Sequence, residues 1–297
     1  MEQLLTKSGE PIPKVGLGTF PLKGEHLKNV VTHAVQVGYR LFDTSDDYQN
    51  EDAIGSAIVS IIENKVCRRE DLFLQTKISD CDSYLADHRQ NAYFGRFSSL
   101  MKEYSVRDIV RSKVFNSLDE LCTDYLDSVL LHFPYPQYYE DMWRALIELQ
   151  EEGLIRYIGV SNFNVRELVQ VSKLAVPSIN EIYLSPFGTK GDVVKYCNEN
   201  DIQLMTYSPL AVARGDMFYH PIIKELMEKY NITRSQVILC WNIQVESIPI
   251  PKSSNKVRLQ ENFNSINYKF TDEEIELLNA LNIYHQYPPL SKDCPGI

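Results

Sequence analysis

A chain of 297 residues with 44% hydrophobic and 24% charged side chains can bury a large core, and its formal charge of −10 argues against a nucleic-acid-binding surface. The opening MEQLLTKSGE lacks the apolar core of a signal peptide, and no apolar run approaches the roughly 18 residues needed to cross a membrane. Cys67, Cys81, Cys122, Cys197, Cys240 and Cys294 form no CxxC pair and the histidines no HExxH, which reads as reduced thiols in a cytoplasmic protein without a metal site.

Taken in order, Leu4 to Lys14 alternates apolar and polar residues around Ser8-Gly9 and predicts a small hairpin. Short apolar runs follow: Val15 to Gly18, Tyr39 to Phe42, Leu72 to Thr76 and Ser128 to Leu131. Four more come at Ile155 to Val160, Ile179 to Ile182, Gln203 to Thr206 and Ser247 to Pro251. The segments between them have helical spacing. Val30, Val31, Ala34 and Val35 share one face of the first. Asn50, Glu51 and Asp52 open the second, along which Ile54, Ala57, Ile58, Ile61 and Ile62 recur. Trp143, Leu146, Ile147 and Gln150 mark a helix starting near Tyr138. Asn164 and Thr271 precede two further helices, and Thr271 with Glu274 spells a capping box.

Eight nearly all-apolar runs alternating with helices predict parallel β/α units whose strands are buried on both faces. Over this length they favour the α/β class and a closed (β/α)8 TIM barrel, a single domain over residues 1–297. A dinucleotide-binding open sheet would want GxGxxG. In Gly16-Leu17-Gly18-Thr19-Phe20-Pro21 a proline stands where the third glycine belongs. Two segments are additional: Asp80 to Tyr104, which enlarges the loop after strand three, and the proline-rich tail from Tyr284, expected to pack over one end of the barrel.

A barrel of this kind carries its active site at the C-terminal ends of its strands. Strand two ends in Asp43 with Tyr48 in its loop, strand three in Lys77, strand four in His132 and strand five in Ser161-Asn162. Singly, each is an ordinary loop residue. Together, four ionisable groups leave three consecutive strands at one face. A tyrosine, with an ordinary pKa near 10, is a weak acid at neutral pH. A lysine cation beside it favours the ionised phenol, an aspartate holds the lysine charged, and a histidine can polarise a carbonyl. That set suits protonation of a carbonyl oxygen while a cofactor delivers hydride to carbon.

The sequence resembles the aldo-keto reductase family over nearly its whole length. The matching stretches are VGLGTF (15–20), GYRLFDTSDDYQNE (38–51), FLQTK (73–77) and LLHFP (130–134). They continue with WRALIELQEEGLIRYIGVSNF (143–163), YSPL (207–210) and IPIPKSSNKVRLQEN (248–262). The resemblance implies a tetrad of Asp43, Tyr48, Lys77 and His132, with Tyr48 as proton donor, Lys77 tuned by Asp43, and His132 orienting the carbonyl. It implies NADPH as cofactor. Gly18 and Thr19 lie at the first strand end of its site; Ser161, Asn162 and Glu181 fall where the carboxamide is held, and Tyr207 where the ring stacks. Ser208 and Leu210 fall by the pyrophosphate, Lys252, Ser253, Ser254 and Arg258 by the 2′-phosphate, and Glu261 and Asn262 by adenine. Phe20, Tyr48, His132 and Phe133 are the implied substrate contacts.

Three departures stand out. Glu181 replaces the family's usual glutamine, and an ionised carboxylate only accepts hydrogen bonds where an amide also donates. The stretch between Lys77 and His132 is longer than usual, so substrate choice does not carry over. It also lacks the customary tryptophan after the lysine; Trp143 and Trp241 sit in helical segments, and Tyr84, Tyr93 and Phe94 are alternative wall residues. The expectation is an NADPH-dependent reductase of small aldehydes or ketones, monomeric or weakly homo-oligomeric. The alternative is an NADPH-binding redox sensor or regulatory subunit with little turnover.

Overall fold

The structure, a computed structural model, describes residues 4–5, 11–79, 100–135, 137–210 and 219–283. The Asp80 to Tyr104 segment up to residue 99 and the tail from Tyr284 lie outside them, as do Tyr84, Tyr93 and Phe94. Leu4–Leu5 pairs antiparallel with Pro11–Ile12, the hairpin the alternation predicts.

Eight parallel strands then run in chain order around one sheet: Gly16–Gly18, Leu41–Asp43, Phe73–Ile78, Leu126–Leu131, Ile155–Ser161, Ile179–Tyr183, Gln203–Tyr207 and Ser247–Ile250. The sheet curls back on itself, and Gly18 N–H donates to Pro251 O at 3.4 Å between its first and last strands. Glycine makes that seam possible. A Cβ on Gly16 would stand 2.3 Å from Leu41 Cδ2, and one on Gly18 would stand 2.8 Å from Ile250 O. The strands are apolar because both faces are covered. Inside the barrel, Leu41, Phe73, Leu130, Ile179, Met205, Ile248 and Ile250 form one small cluster. A larger core fills the space between the strands and the helices outside.

The helices follow their apolar stripes. Gly24–Val37 buries Val30, Val31, Ala34 and Val35 as its spacing requires. Glu51–Glu63 buries Ile54, Ala57, Ile58 and Ile61, whereas Ile62 turns outward. Tyr139–Glu151 buries Trp143 and Leu146. At Thr271 both halves of the capping box form: Glu274 N–H donates to Thr271 Oγ1, and Thr271 N–H donates to Glu274 Oε2 at 2.8 Å. A second capping box joins Thr233 and Gln236. Asn164 starts its helix through extended backbone angles, without a side-chain cap bond.

Two buried polar knots hold the layers in register. Glu51 accepts from Thr76 Oγ1 at 2.6 Å and from Ser117 Oγ at 2.8 Å, tying its helix to strand three and to the helix Val106–Glu120. At the N-terminal mouth, Asp127 pairs with Arg69 at 2.8 Å and Arg156 at 3.1 Å. Cys67, Cys122, Cys197 and Cys240 are free thiols, and burial pushes Cys197 up to about 11 and Cys240 up to about 12. No helix among the described residues is long and apolar enough to cross a membrane.

Candidate active site

A cleft opens at the C-terminal mouth of the barrel, lined on one side by Phe20, Asp47, Tyr48, His132 and Phe133 and on the other by Ser161, Asn162, Glu181, Tyr207 and Ser208. Gly18, Thr19, Asp43, Ile250 and Lys252 complete its wall. Lys77 lies beneath this floor, 1% exposed. The second strand stops at Asp43, so the chain can leave the sheet and bring Tyr48 over the lysine within five residues. Ser45 makes that turn: its Oγ accepts from Asp47 N–H at 3.3 Å and starts the single 3-10 turn ending at Tyr48.

The four residues of the implied tetrad converge. Lys77 Nζ donates to Asp43 Oδ1 at 2.5 Å and to Thr44 O at 3.1 Å, and it lies 5.5 Å from the centre of the Tyr48 ring. The His132 ring meets the Tyr48 ring edge-on, with centres 5.9 Å apart. Burial works against the charge on Lys77. The carboxyl groups of Asp43 and Glu181 outweigh it and hold the ammonium above its ordinary range. Burial, with the Lys77 and Lys113 charges nearby, keeps His132 well below its ordinary value, so its ring is neutral at pH 7.

The spacing of motifs alone did not reveal what fixes these groups. His132 Nδ1 is 2.8 Å from Ser79 Oγ and 3.2 Å from Ser45 Oγ, which leaves Nε2 as the ring nitrogen without a serine partner. Gln75 is the amide of the third strand, Phe73–Ile78. Its Nε2 donates to Asp43 Oδ1 at 2.9 Å and to Glu181 Oε2 at 2.7 Å. Asp47 lines the cleft beside Tyr48, and its Oδ2 is buried 3.7 Å from His132 Nδ1 without a hydrogen-bond partner among the described residues. Burial, reinforced by Asp46, pushes Asp47 up to about 8. A carboxylate immediately before Tyr48 in the run SDDY was the available signal.

At Glu181 the surroundings oppose the ionised, accept-only form. Burial and the neighbouring Asp43 push it up to about 8 against the pull of Lys77 3.2 Å away, which favours the protonated acid, a form that donates as well as accepts. Ser161 Oγ donates to the Glu181 carbonyl at 3.0 Å. Asn162, in the left-handed region at φ 64°, donates to His132 O at 3.2 Å and accepts from Tyr207 OH at 2.8 Å, so it ties the aromatic wall to the fourth strand.

The remaining residues implied for the cofactor stand further along the rim. Leu210 is half-buried three residues past the seventh strand. Lys252, Ser254 and Arg258 are exposed around the start of the helix Lys256–Asn264, whose first turn Asn255 caps by accepting from Arg258 N–H at 3.1 Å. Ser253 is buried in that turn, Asn262 is buried on the same helix, and the Glu261 carbonyl accepts from Gln236 Nε2 at 3.1 Å. Among the described residues no cluster of histidine, cysteine and acidic side chains could hold a metal ion.

This donor set fits a phosphorylated nicotinamide nucleotide. One end of the groove offers a half-buried aromatic face and neutral hydrogen-bonding groups; the other offers cations and free helix amides, which suit phosphate. Comparison with known proteins agrees. The chain is 33% identical to a glyoxal reductase of Bacillus subtilis (strain 168), covering 93% of this chain and 91% of that one. It is 31% identical to a methylglyoxal reductase of Escherichia coli (strain K12), over 91% and 89%. A crystal structure of a Bombyx mori aldo-keto reductase in complex with NADP superposes with a TM-score of 0.81 at 30% identity, over 96% and 94% of the two chains. The sequence model of the Aldo/keto reductase family matches residues 14–283. The chain belongs to the aldo/keto reductase family.

Proposed function

We propose that the chain acts as one barrel unit and reduces small aldehydes and ketones, α-dicarbonyls among them, with NADPH. The observation that carries this reading is the buried Lys77, held 2.5 Å from Asp43 directly below Tyr48. A charged lysine in that place makes the phenol a better acid than free tyrosine, which is what protonation of a carbonyl oxygen at neutral pH requires. The glyoxal and methylglyoxal reductases among the relatives support the substrate class.

In this reading the bound nicotinamide supplies hydride to the carbonyl carbon. Tyr48 donates its proton to the developing alkoxide, and Lys77 stabilises the tyrosinate left behind. In the tautomer in which His132 Nδ1 accepts from the Ser79 hydroxyl 2.8 Å away, Nε2 carries the ring proton and donates to the carbonyl oxygen, which positions it beside the phenol. Phe20 and Phe133 form the apolar side of the cleft and keep water from the reacting atoms. Ser161, Asn162 and Glu181 take the carboxamide, and Tyr207 supports the ring. Lys252, Ser253 and Arg258 take the 2′-phosphate, with Ser254 in the same turn; Ser208 and Leu210 flank the pyrophosphate, and Glu261 and Asn262 the adenine.

The test follows NADPH absorbance with a panel of small aldehydes, α-dicarbonyls, sugars and ring ketones. Tyr48→Phe should still bind NADPH and lose about 10²- to 10⁴-fold in turnover, the usual contribution of a positioned general acid. Full activity in that variant would refute the proton-donor role. Tight NADPH binding with no turnover on any carbonyl would instead favour a sensor.

A further inference from the structure

The carboxyl group of Glu181 sits in a cage that a glutamine would not need. Its Oε1 lies 3.2 Å from Lys77 Nζ, and its Oε2 accepts from the Gln75 amide that also serves Asp43. Two carboxyl groups thus share one ammonium and one amide, with Asp43 3% exposed, Lys77 1% and Glu181 1%. If both were ionised, the cluster would hold one negative charge in excess, a costly arrangement in a space shielded from water.

The groups around it do not supply the missing positive charge: Lys252 lines the same cleft but is exposed at its rim, and Asp47 beside Tyr48 brings another carboxyl. Strand two contributes Asp43, strand three Lys77 and the neutral Gln75, and the loop above contributes the phenol of Tyr48. Strand five brings the neutral Ser161 and Asn162, strand seven the phenol of Tyr207, and His132 on strand four is uncharged. The cleft itself remains, since Glu181 lines it together with Ser161, Asn162 and Tyr207. A cation placed there would balance the cluster, and a neutral ligand would leave a proton on it.

We propose that Glu181 links proton binding to the charge of the nicotinamide: a carboxylic acid beside the neutral, reduced ring, and a carboxylate beside the positively charged, oxidised ring. This rests on the reading that the nicotinamide lies in the cleft by Ser161, Asn162 and Tyr207. The linkage is an acid dissociation with no bond made to the cofactor: the O–H bond of Glu181 breaks and its proton passes to solvent when NADP+ binds. Glutamine has no such proton to lose, so the device belongs to the Glu181, Gln75, Asp43 and Lys77 combination.

Dissociation constants of NADPH and NADP+ measured on the full chain from pH 6 to 9 test this without relying on turnover. The 2′-phosphate titrates in both ligands and cancels in their ratio. The NADP+ to NADPH ratio of dissociation constants should fall as pH rises toward about 8, by up to about tenfold per unit for one linked proton. It should be much shallower in Glu181→Gln, where Asp47 is left as a high-pKa carboxyl of the cleft. Calorimetry of the unaltered protein at pH 7 in two buffers of different ionisation enthalpy should count about one proton released with NADP+ and none with NADPH. Equal proton counts for the two cofactors, or a slope that persists unchanged in Glu181→Gln, would overturn the proposal while leaving the proposed function standing. Failure of both cofactors to bind would overturn the proposed function and this linkage together.

Discussion

At the scale of single residues, the site works by neutralising what it buries. Lys77 is charged chiefly because Asp43 faces it, and His132 is neutral because burial and two lysines oppose its charge. Tyr48, Lys77 and His132 were legible in the sequence because each leaves a strand at the same face. Gln75, Ser45 and Ser79 were not, since their roles depend on partners on other elements and no local pattern encodes such a pairing. Arg258 offers the clearest test at this scale. It stands exposed in the first turn of its helix, and a guanidinium there can grip a phosphate through two bonds. Arg258→Ala should weaken NADPH by roughly ten- to a hundredfold, the equivalent of about 1.5–3 kcal/mol for a charged hydrogen bond. NADH, which has no 2′-phosphate, should lose far less; equal losses would sink the phosphate assignment.

At the scale of elements, the strands were legible because burial on both faces leaves them apolar, and the helices because their stripes face that layer. Ile62 broke the pattern: it continues the spacing, but it lies one position round the helix from the buried Ile61 and its side chain is 36% exposed. What the pattern could not show was that Glu51, an apparent helix-start acid, is 2% exposed and knits three elements together. Burial pushes it up to about 7 from an ordinary 4.5 despite two hydroxyl donors. The folded chain therefore holds a proton that the unfolded chain releases, and the stability this gives at low pH is lost as pH rises from 4.5 to about 7. Urea midpoints of the unaltered protein and Glu51→Gln should diverge in that window, with the unaltered protein losing relative stability toward the upper end. A difference independent of pH would exclude the assignment.

At the scale of the whole molecule, barrel closure rests on a short first strand made of Gly16, Leu17 and Gly18. The motif reading treated these glycines as a failed phosphate-binding loop; in the structure they let the first strand approach the last. Gly16→Val would drive new methyl groups into Leu41 and Ile250, at sites where even a Cβ is 2.3 and 2.7 Å from existing atoms. Overpacking of that kind costs about 1–3 kcal/mol. The melting temperature should drop by several degrees, with less effect on NADPH affinity than Arg258→Ala has. An unchanged melting temperature would show that the seam can open without strain.

The thiols of this fold bear on the chemistry assigned to it. Thiolates attack dicarbonyls and other electrophiles, and the fraction of thiolate depends on acidity. Cys197 and Cys240, pushed up to about 11 and about 12 by the core around them, stay as S–H through the neutral range. Packing thereby confers chemical endurance: the interior sulfurs resist being modified by the very compounds that the cleft is proposed to reduce.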